Sequence, residues 1–437
     1  MESQLVRKKS HRKVKTGCIT CRIRRVKCDE DKPNCRRCTS TGRKCDGYPL
    51  ASWVFGKAPT RPSSIGGNDA ECHAIYQFRT RIASLLASSF DRKFWMHDLI
   101  HNAESFIPVR HALAGLASAY QKSIVLGNHS PTCDRFIFEQ YDKALKSLHE
   151  CFQIGKRLSR TQQSAALVAN LLFVFLCSLQ GLRQEALIHL RNGLALIHEW
   201  SLDTSMMGDD TQTTLMADIL ALYTRLDTQS RVICQDVRTA QTFKGLLLSQ
   251  TSKKPENPTV CQALFELESL HNQILQLADD EPYSDTKSTY QQALSSWDTQ
   301  FHHLASTSPH VSHITALKMR REVVEITLSM KINTEDITTY IDTHCSTILD
   351  LAHQLSKEID LKLNQVSFNL ASGLVEALYF VAVTSKDWDL RQQAIHHLRR
   401  YRLVDGIWGS HDAADLAFSR LQDDMNIYRL QLGQPGV

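Results

Sequence analysis

Apolar residues recur at helical spacing along most of the chain after residue 70. In one segment they stand at Ile137, Tyr141, Ala144, Leu148 and Phe152, intervals of three and four residues that place them on one face of a helix. The same spacing predicts helices over 109–126, 161–182, 181–200, 258–278, 289–304, 312–331, 334–356 and 361–384. No run of alternating β-branched residues competes with this pattern. The sequence therefore predicts an all-α body of packed antiparallel helices.

Residues 161–182 are long enough to test as a membrane span. They hold no charged residue between Arg160 and Arg183, and about 20 apolar residues suffice to cross a bilayer. However, the segment also contains Gln162, Gln163 and Asn170. A helix that is apolar on all sides is equally what the centre of a large helical domain requires. We predict a buried central helix and no membrane partner.

Composition divides the chain into four parts. We expect a basic, disordered arm over 1–15, a cysteine-rich module over 16–48, a flexible linker over 49–70 and the all-α body over 71–437. The linker is rich in Gly, Pro and Ser and has no sustained apolar period. Because a coiled coil needs apolar a and d positions over about three heptads, this linker does not form one. The sequence leaves open a monomer and a homodimer formed through the body.

Charge is distributed very unevenly. Residues 1–50 contain 15 Lys and Arg against 5 Asp and Glu, which leaves 36 and 41 of the chain's 51 and 46 for residues 51–437. A modest overall charge thus conceals a strongly basic amino-terminal part on a mildly acidic body. A basic segment of this density is the electrostatic footprint of a nucleic-acid-binding domain.

Six cysteines dominate the basic part. They are spaced C-x2-C-x6-C-x6-C-x2-C-x6-C, so one C-x2-C-x6-C unit occurs twice, at Cys18, Cys21, Cys28, Cys35, Cys38 and Cys45. Cysteines separated by two residues can hold one metal ion from a tight turn, and a third ligand on the following helix completes most of a tetrahedron. The sequence therefore predicts a metal site.

The number of ligands decides how many metal ions the six cysteines can hold and whether any sulfur is shared. Two four-coordinate zinc ions need eight ligand positions, and six thiolates fill them only if two sulfurs bridge. The symmetry of the repeat assigns the bridges to Cys18 and Cys35, the first cysteine of each unit. Such a closed site is structural, because no position remains for a substrate. Three disulfides are the alternative. Residues 1–15 are polar and basic rather than an apolar signal segment, which favours two zinc ions in a reducing compartment.

This stretch resembles the DNA-binding domain of the fungal binuclear zinc-cluster (six-cysteine) transcription factors. All six cysteines match, as do the basic run between Cys21 and Cys28 and the proline at position 33. The resemblance implies a short basic helix in the major groove of double-stranded DNA, reading CGG-like half-sites. It also implies that Arg24 and Arg25 read the bases, since arginine can bind guanine through two hydrogen bonds.

Other basic residues are expected to contact phosphates. Arg22 and Lys27 flank the base-reading pair, and Lys13 and Lys15 lie in the basic arm. The arm also reads as a nuclear-import signal, which implies an import receptor as a partner and the nucleus as the location. Apolar stretches of the body resemble the helical regulatory domain of filamentous-fungal members. The expected function is regulation of RNA polymerase II promoters together with the transcription machinery, in the manner of pathway-specific regulators of metabolic gene clusters.

No enzyme motif accompanies these features. H-E-x-x-H, G-x-S-x-G and the phosphate-binding G-x-x-x-x-G-K-[ST] are all missing from the sequence. The histidines around 302–313 lack nearby carboxylates, and His396 and His397 lie in a basic segment that reads as a solvated helix face. We expect no enzyme. Two alternatives stay open: a zinc-dependent protein-interaction adaptor, and a ligand-sensing helical regulator with DNA binding as its output.

Overall fold

The chain forms two compact units, Met1–Ser63 and Ser64–Val437, in a computed structural model. In the first unit the structure describes residues 18, 20–21, 24, 26–31, 35–43 and 45. In the second it describes residues 67–88, 90–125, 131–153, 158–202, 211–233, 259–277, 284–308, 311–332, 337–359, 366–369 and 372–431.

The first unit is built on its cysteines. One short helix, α1 (Arg36–Thr39), begins directly after Cys35 and buries Cys38. Thr20 and Cys21 are also helical, and the rest of the helix expected after Cys21 lies largely outside the described residues. The chain turns sharply on either side of α1, where Glu30 and Gly42 both adopt a φ of +64°.

The second unit is helical almost throughout, which confirms the predicted fold class. Its first half contains α2 (Asp69–Gln77), continued by a π-helical turn (Phe78–Ile82) into α3 (Ala83–Leu86), then a π-helical turn (Phe94–Asp98), α4 (Leu99–Ser105), α5 (Ile107–Val125), α6 (Pro131–Gln153), α7 (Arg160–Leu179), α8 (Arg183–Glu199) and α9 (Thr211–Ile233). Its second half contains α10 (Val260–Leu275), α11 (Ser284–Thr307), α12 (Val311–Ile332), α13 (Thr338–Glu358), α14 (Leu374–Thr384), α15 (Trp388–Arg400) and α16 (Ser410–Gln431).

Helix α7 is the centre of the body. It is long and apolar enough to cross a membrane, yet its most apolar 18-residue window is 94% buried inside the protein, which confirms the predicted central helix. It starts in a capping box formed by Ser159 and Gln162, which satisfies free backbone N–H groups at its amino end. Its neighbours α5 and α8 pack on it closely, and Phe173 and Phe175 are among the largest fully buried side chains.

A small sheet corrects one prediction. The segment 361–384 was expected to be helical, but Val366–Asn369 forms a strand, β1, and the helix starts only at Leu374. Strand β1 pairs in parallel with β2 (Arg402–Asp405), which pairs antiparallel with β3 (Trp408–Gly409). Gly373 separates strand from helix with a φ of +61°, a left-handed conformation that favours glycine. These distant pairings override the local helical spacing.

Five elements meet around buried charges. The Arg320 guanidinium on α12 contacts the carboxylate of Glu268 on α10 and lies 3.6 Å from that of Glu376 on α14. Arg225 on α9 and Asp405 on β2 belong to the same cluster, and every one of these side chains is at least 94% buried. We call these five residues the buried charge cluster. It joins helices of the second half of the body to α9 and to the sheet.

Candidate metal centre and nucleic-acid interface

The six cysteine sulfurs converge into two overlapping groups of four. One group contains Cys18, Cys21, Cys28 and Cys35, and the other contains Cys18, Cys35, Cys38 and Cys45, with the sulfur atoms of each group within 4.8 Å of one another. Cys18 and Cys35 are therefore common to both groups. Two four-ligand sites that share two sulfurs are the arrangement that six thiolates need in order to hold two metal ions.

The sulfur separations fit zinc. Three distances between buried sulfurs of the same group lie between 3.5 and 3.8 Å: Cys18 to Cys35, Cys18 to Cys38 and Cys21 to Cys35. Zinc–sulfur bonds of about 2.3 Å at tetrahedral angles place sulfur atoms about 3.8 Å apart. Disulfide-bonded sulfurs lie only about 2.05 Å apart. The module therefore takes two zinc ions, as the cofactor prediction states.

Burial gives these thiols a need for a cation. Cys18, Cys21, Cys35 and Cys38 are fully buried, and this burial raises the pKa of all four thiols. A thiolate in such surroundings is stable only beside a compensating positive charge, which a zinc ion supplies. Backbone N–H groups add to this: those of Cys21 and Cys18 point at the sulfurs of Cys18 and Cys28, at 3.3 and 3.4 Å.

An acidic loop holds the second repeat in place. Asp29 accepts a hydrogen bond of 3.0 Å from the backbone N–H of Arg37, and Asp31 pairs with Arg36 at 2.9 Å. Since both arginines belong to α1, the loop is tied to the helix that carries Cys38. Sequence reasoning missed this role, although three consecutive acidic residues at 29–31 in a basic segment are a signal for it.

The structure describes two of the six basic residues expected to contact DNA. Lys27 is exposed, whereas Arg24 is half-buried, and its Nη1 atom has no hydrogen-bond partner among the described residues. Arg22, Arg25, Lys13 and Lys15 lie outside the described residues. On α1 and beyond it, Arg36, Arg37 and Arg43 are exposed. All six DNA-contact assignments stay predictions.

The described histidines outside the cysteine module do not assemble into a metal or catalytic site. His302 and His303 are exposed on α11, while His310 and the aspartate pairs at 209–210 and 279–280 lie outside the described residues. The prediction that His396 and His397 lie on a solvated helix face is correct for His396, which is exposed, and wrong for His397. His397 is half-buried, and its Nε2 atom lies 2.9 Å from the Ser356 hydroxyl. Among the described residues, the cysteine groups alone have metal-binding geometry.

Comparison with known proteins identifies the module. Residues 16–52 match the family described as the fungal Zn(2)-Cys(6) binuclear cluster domain. The chain is 25% identical over 412 residues to the aspercryptin biosynthesis cluster-specific transcription regulator atnN of Emericella nidulans, covering 78% of this chain and 64% of that protein. It is 62% identical over 143 residues to the transcriptional regulatory protein moc3 of Schizosaccharomyces pombe, covering 28% of each.

A third relative is also named as a transcription factor. The Zn(2)-C6 fungal-type transcription factor afumD of Aspergillus fumigatus is 31% identical over 128 residues, covering 26% of this chain and 34% of that protein. The chain thus spans less than two thirds of each of these three relatives. No solved structure matches it significantly. The cysteine geometry, the domain match and these relatives together confirm the resemblance to the fungal zinc-cluster transcription factors, and residues 16–52 match their Zn(2)-Cys(6) binuclear cluster domain.

Proposed function

We propose that this protein is a sequence-specific DNA-binding regulator of RNA polymerase II transcription. The observation that carries the proposal is the pair of sulfur groups sharing Cys18 and Cys35, set in a segment with three times as many basic as acidic residues. The names of the relatives support it, since each is a transcription regulator or transcription factor.

Each part of the module has a distinct task in this proposal. The six cysteines hold two zinc ions, with Cys18 and Cys35 bridging, and the ions fix the fold of a segment too small to build a core of its own. With all ligand positions taken by sulfur, the metal serves structure and not catalysis. The two zinc ions and six thiolates carry a net charge of −2, so the attraction to DNA comes from arginine and lysine side chains.

Two kinds of contact divide the work on DNA. Arg24 and Arg25 read a CGG-like half-site in the major groove, where a bidentate arginine–guanine contact contributes roughly 1–3 kcal/mol of discrimination. Arg22, Lys27, Lys13 and Lys15 bind phosphates, which position the module without reading sequence. Val26 and Lys27 are both exposed, which supports a solvent-facing surface at this point of the module.

The remaining partners follow from the same reading. The basic arm serves nuclear import through an import receptor, and the protein acts in the nucleus. The helical body contacts the transcription machinery and provides the surface for a homodimer. The name of the E. nidulans relative, a cluster-specific regulator of aspercryptin biosynthesis, supports control of a metabolic gene cluster. The protein is not an enzyme.

Selection from random duplex DNA tests the proposal. The full chain, loaded with zinc, should enrich sequences containing a CGG-like triplet, and a chelator should abolish the enrichment. Arg25→Ala should relax the base preference, whereas Lys13→Ala should weaken binding to all sequences alike.

Salt dependence separates this function from a protein-interaction adaptor. If the module binds through Z phosphates, log K falls with log salt concentration at a slope of about −0.9Z, and Lys13→Ala should reduce that slope by about one. Binding that does not depend on salt would favour the adaptor. If Arg25→Ala and Lys13→Ala both weaken binding to all DNA sequences by the same factor, the assigned groove contacts are wrong.

A further inference from the structure

A cleft of about 250 Å³ opens on the body beside the small sheet. It lies between the end of α7 and the start of α8 on one side, and β2, β3 and the first turn of α16 on the other. Roughly 300–1,000 Å³ is usual for pockets that hold drug-sized ligands, so this cleft fits a smaller molecule.

One wall of the cleft is apolar. It is formed by Leu179 at the end of α7, Leu403 on β2 and Ile407 in the turn between β2 and β3. These three side chains are 91–98% buried, which makes the wall part of the packed core rather than a mobile surface. We call these three residues the apolar wall. A hydrocarbon part of a ligand would gain from contact with it.

Most polar groups in the cleft already have partners. The Asp412 carboxylate pairs with Arg183 at 3.2 Å, and the Arg183 guanidinium also stacks on the Trp408 ring at 4.0 Å. The Ser123 and Ser178 hydroxyls donate to backbone carbonyl oxygens of α7, at 3.4 and 2.8 Å. The Arg183 contact thus offsets the negative charge of Asp412, the one acidic side chain that lines the cleft.

The groups that remain are donors. Arg402 and His411 are exposed and have no hydrogen-bond or ion-pair partner among the described residues. Lys122 donates to Oε1 of Gln180 at 3.5 Å, which orients the amide, and the buried Nε2 atom of that amide has no partner in the described part of the chain. Helix α16, 22 residues long, starts at the cleft, and the backbone N–H groups and the dipole at the amino end of a helix favour a negative charge.

A set of donors beside an apolar wall selects for one kind of ligand. We propose that the cleft binds a small organic acid, with its carboxylate between Arg402 and the first turn of α16 and its hydrocarbon part on the apolar wall. The ligand would connect the central helix α7 to strands β2 and β3 and to helix α16. It would therefore stabilise the body, independently of the zinc module and of DNA.

Thermal unfolding of the full, zinc-loaded chain tests this site with hexanoate as the probe. Hexanoate should raise the melting temperature along a saturable curve, because it binds the folded body alone. Hexanamide has the same hydrocarbon part without the charge and should produce no saturable rise. Arg402→Gln should weaken the apparent hexanoate affinity at least tenfold, and Gln180→Glu should abolish binding by placing a second carboxylate beside the first.

A nearby arginine provides the matched control. Arg400 is exposed at the end of α15, two residues from Arg402, and does not line the cleft. Arg400→Gln should leave the hexanoate curve unchanged. The proposal is overturned if hexanoate gives no saturable rise, if hexanamide or inorganic phosphate gives an equal one, or if Arg402→Gln and Gln180→Glu leave the curve as it is.

Discussion

At the scale of single residues, the cysteines are not equivalent. Cys18 and Cys35 belong to both sulfur groups, whereas Cys21 belongs to one. Replacing Cys18 or Cys35 by alanine should therefore remove a ligand from both zinc ions and lower the zinc content more than Cys21→Ala does. Zinc per chain, measured by native mass spectrometry of the full protein, distinguishes the two groups of variants.

The four cysteines that are not shared between the two sulfur groups serve as controls. Cys21→Ala and Cys28→Ala act on the first group, and Cys38→Ala and Cys45→Ala act on the second. All four should retain more zinc than the two variants at the shared positions. Equal zinc loss in all six single variants would mean that the bridging assignment is wrong.

The residues of the metal centre were predictable because metal chemistry limits the ligand count. Six sulfurs and four-coordinate zinc leave few solutions, and the repeat of the spacing selects the shared pair. The role of Asp29 and Asp31 was not predictable in the same way. A carboxylate in a loop has many available donors, and its choice of Arg36 and of the Arg37 backbone depends on the loop geometry that the metal centre sets.

At the scale of elements, α7, α8 and α9 approach most closely at Gly193. The Tyr223 hydroxyl on α9 lies 2.8 Å from Oδ1 of Asn170 on α7, and a Cβ atom at position 193 on α8 would overlap that hydroxyl and lie 2.6 Å from the same Oδ1. Gly193→Ala should destabilise the protein by about 1–3 kcal/mol, because overpacking a closed contact forces the helices apart. Urea unfolding followed by far-UV circular dichroism measures the change.

Gly115 on α5 is the matched control. It is also a buried helical glycine, but a Cβ atom there would lie 3.0 Å from the end of the Leu176 side chain, which can rotate away. Both variants gain about 1 kcal/mol of helix propensity, so Gly115→Ala should change stability by no more than about 1 kcal/mol. If the two variants are equally stable, the close approach at Gly193 does not restrict the packing.

Helices were predictable where their buried face is apolar. Helix α7 is the clearest case, since nearly its whole surface is buried and apolar. Helix α9 gave no comparable signal, because much of its buried face is polar: Thr224, Arg225, Asp227, Thr228, Gln229 and Ser230. These side chains find partners far along the chain, such as the Asp405 carbonyl oxygen, which accepts a hydrogen bond of 2.7 Å from Gln229. Local spacing carries no information about such partners.

The buried charge cluster makes the packing of these elements depend on pH. Burial raises the pKa of Glu376 to about 7; Arg320 and Arg225 oppose the shift, and Glu268 and Asp405 add to it. The folded protein thus binds a proton that the unfolded chain releases near pH 4.5. The contribution of Glu376 to stability should fall as the pH rises from about 4.5 to about 7 and stay constant above.

The variant Glu376→Gln should remove this dependence. The stability of the native protein relative to the variant should decrease between pH 5 and pH 7 and then level off, as measured by urea unfolding at each pH. His271 lies 3.9 Å from Glu376, but burial lowers its pKa to about 3, so it stays neutral in this range. As a control, Glu139→Gln at an exposed position on α6 should give a plot of unfolding free energy against pH that is parallel to that of the native protein. If the plot for Glu376→Gln is also parallel to the native one, the pKa of Glu376 is not raised.

At the scale of the whole molecule, the two units are stabilised by different means. The buried apolar residues of Met1–Ser63 are, among those the structure describes, the four inner cysteines, whereas Ser64–Val437 has extensive hydrophobic cores. The charge is divided along the same line, with an excess of basic residues in 1–50 and of acidic residues beyond. The metal ligands and the basic excess therefore belong to the first unit, and the hydrophobic cores belong to the second.

Chelation should separate the two units in a single experiment. Removing zinc from the full chain should abolish DNA binding, because the unfolded module no longer holds its basic side chains in a fixed arrangement. The far-UV circular dichroism and the melting temperature of the body should change little, since the structure places no metal-binding group among its described residues. Adding zinc back should restore binding. A chelator that lowered the body's melting temperature as strongly as it weakened DNA binding would show that the body depends on the metal centre.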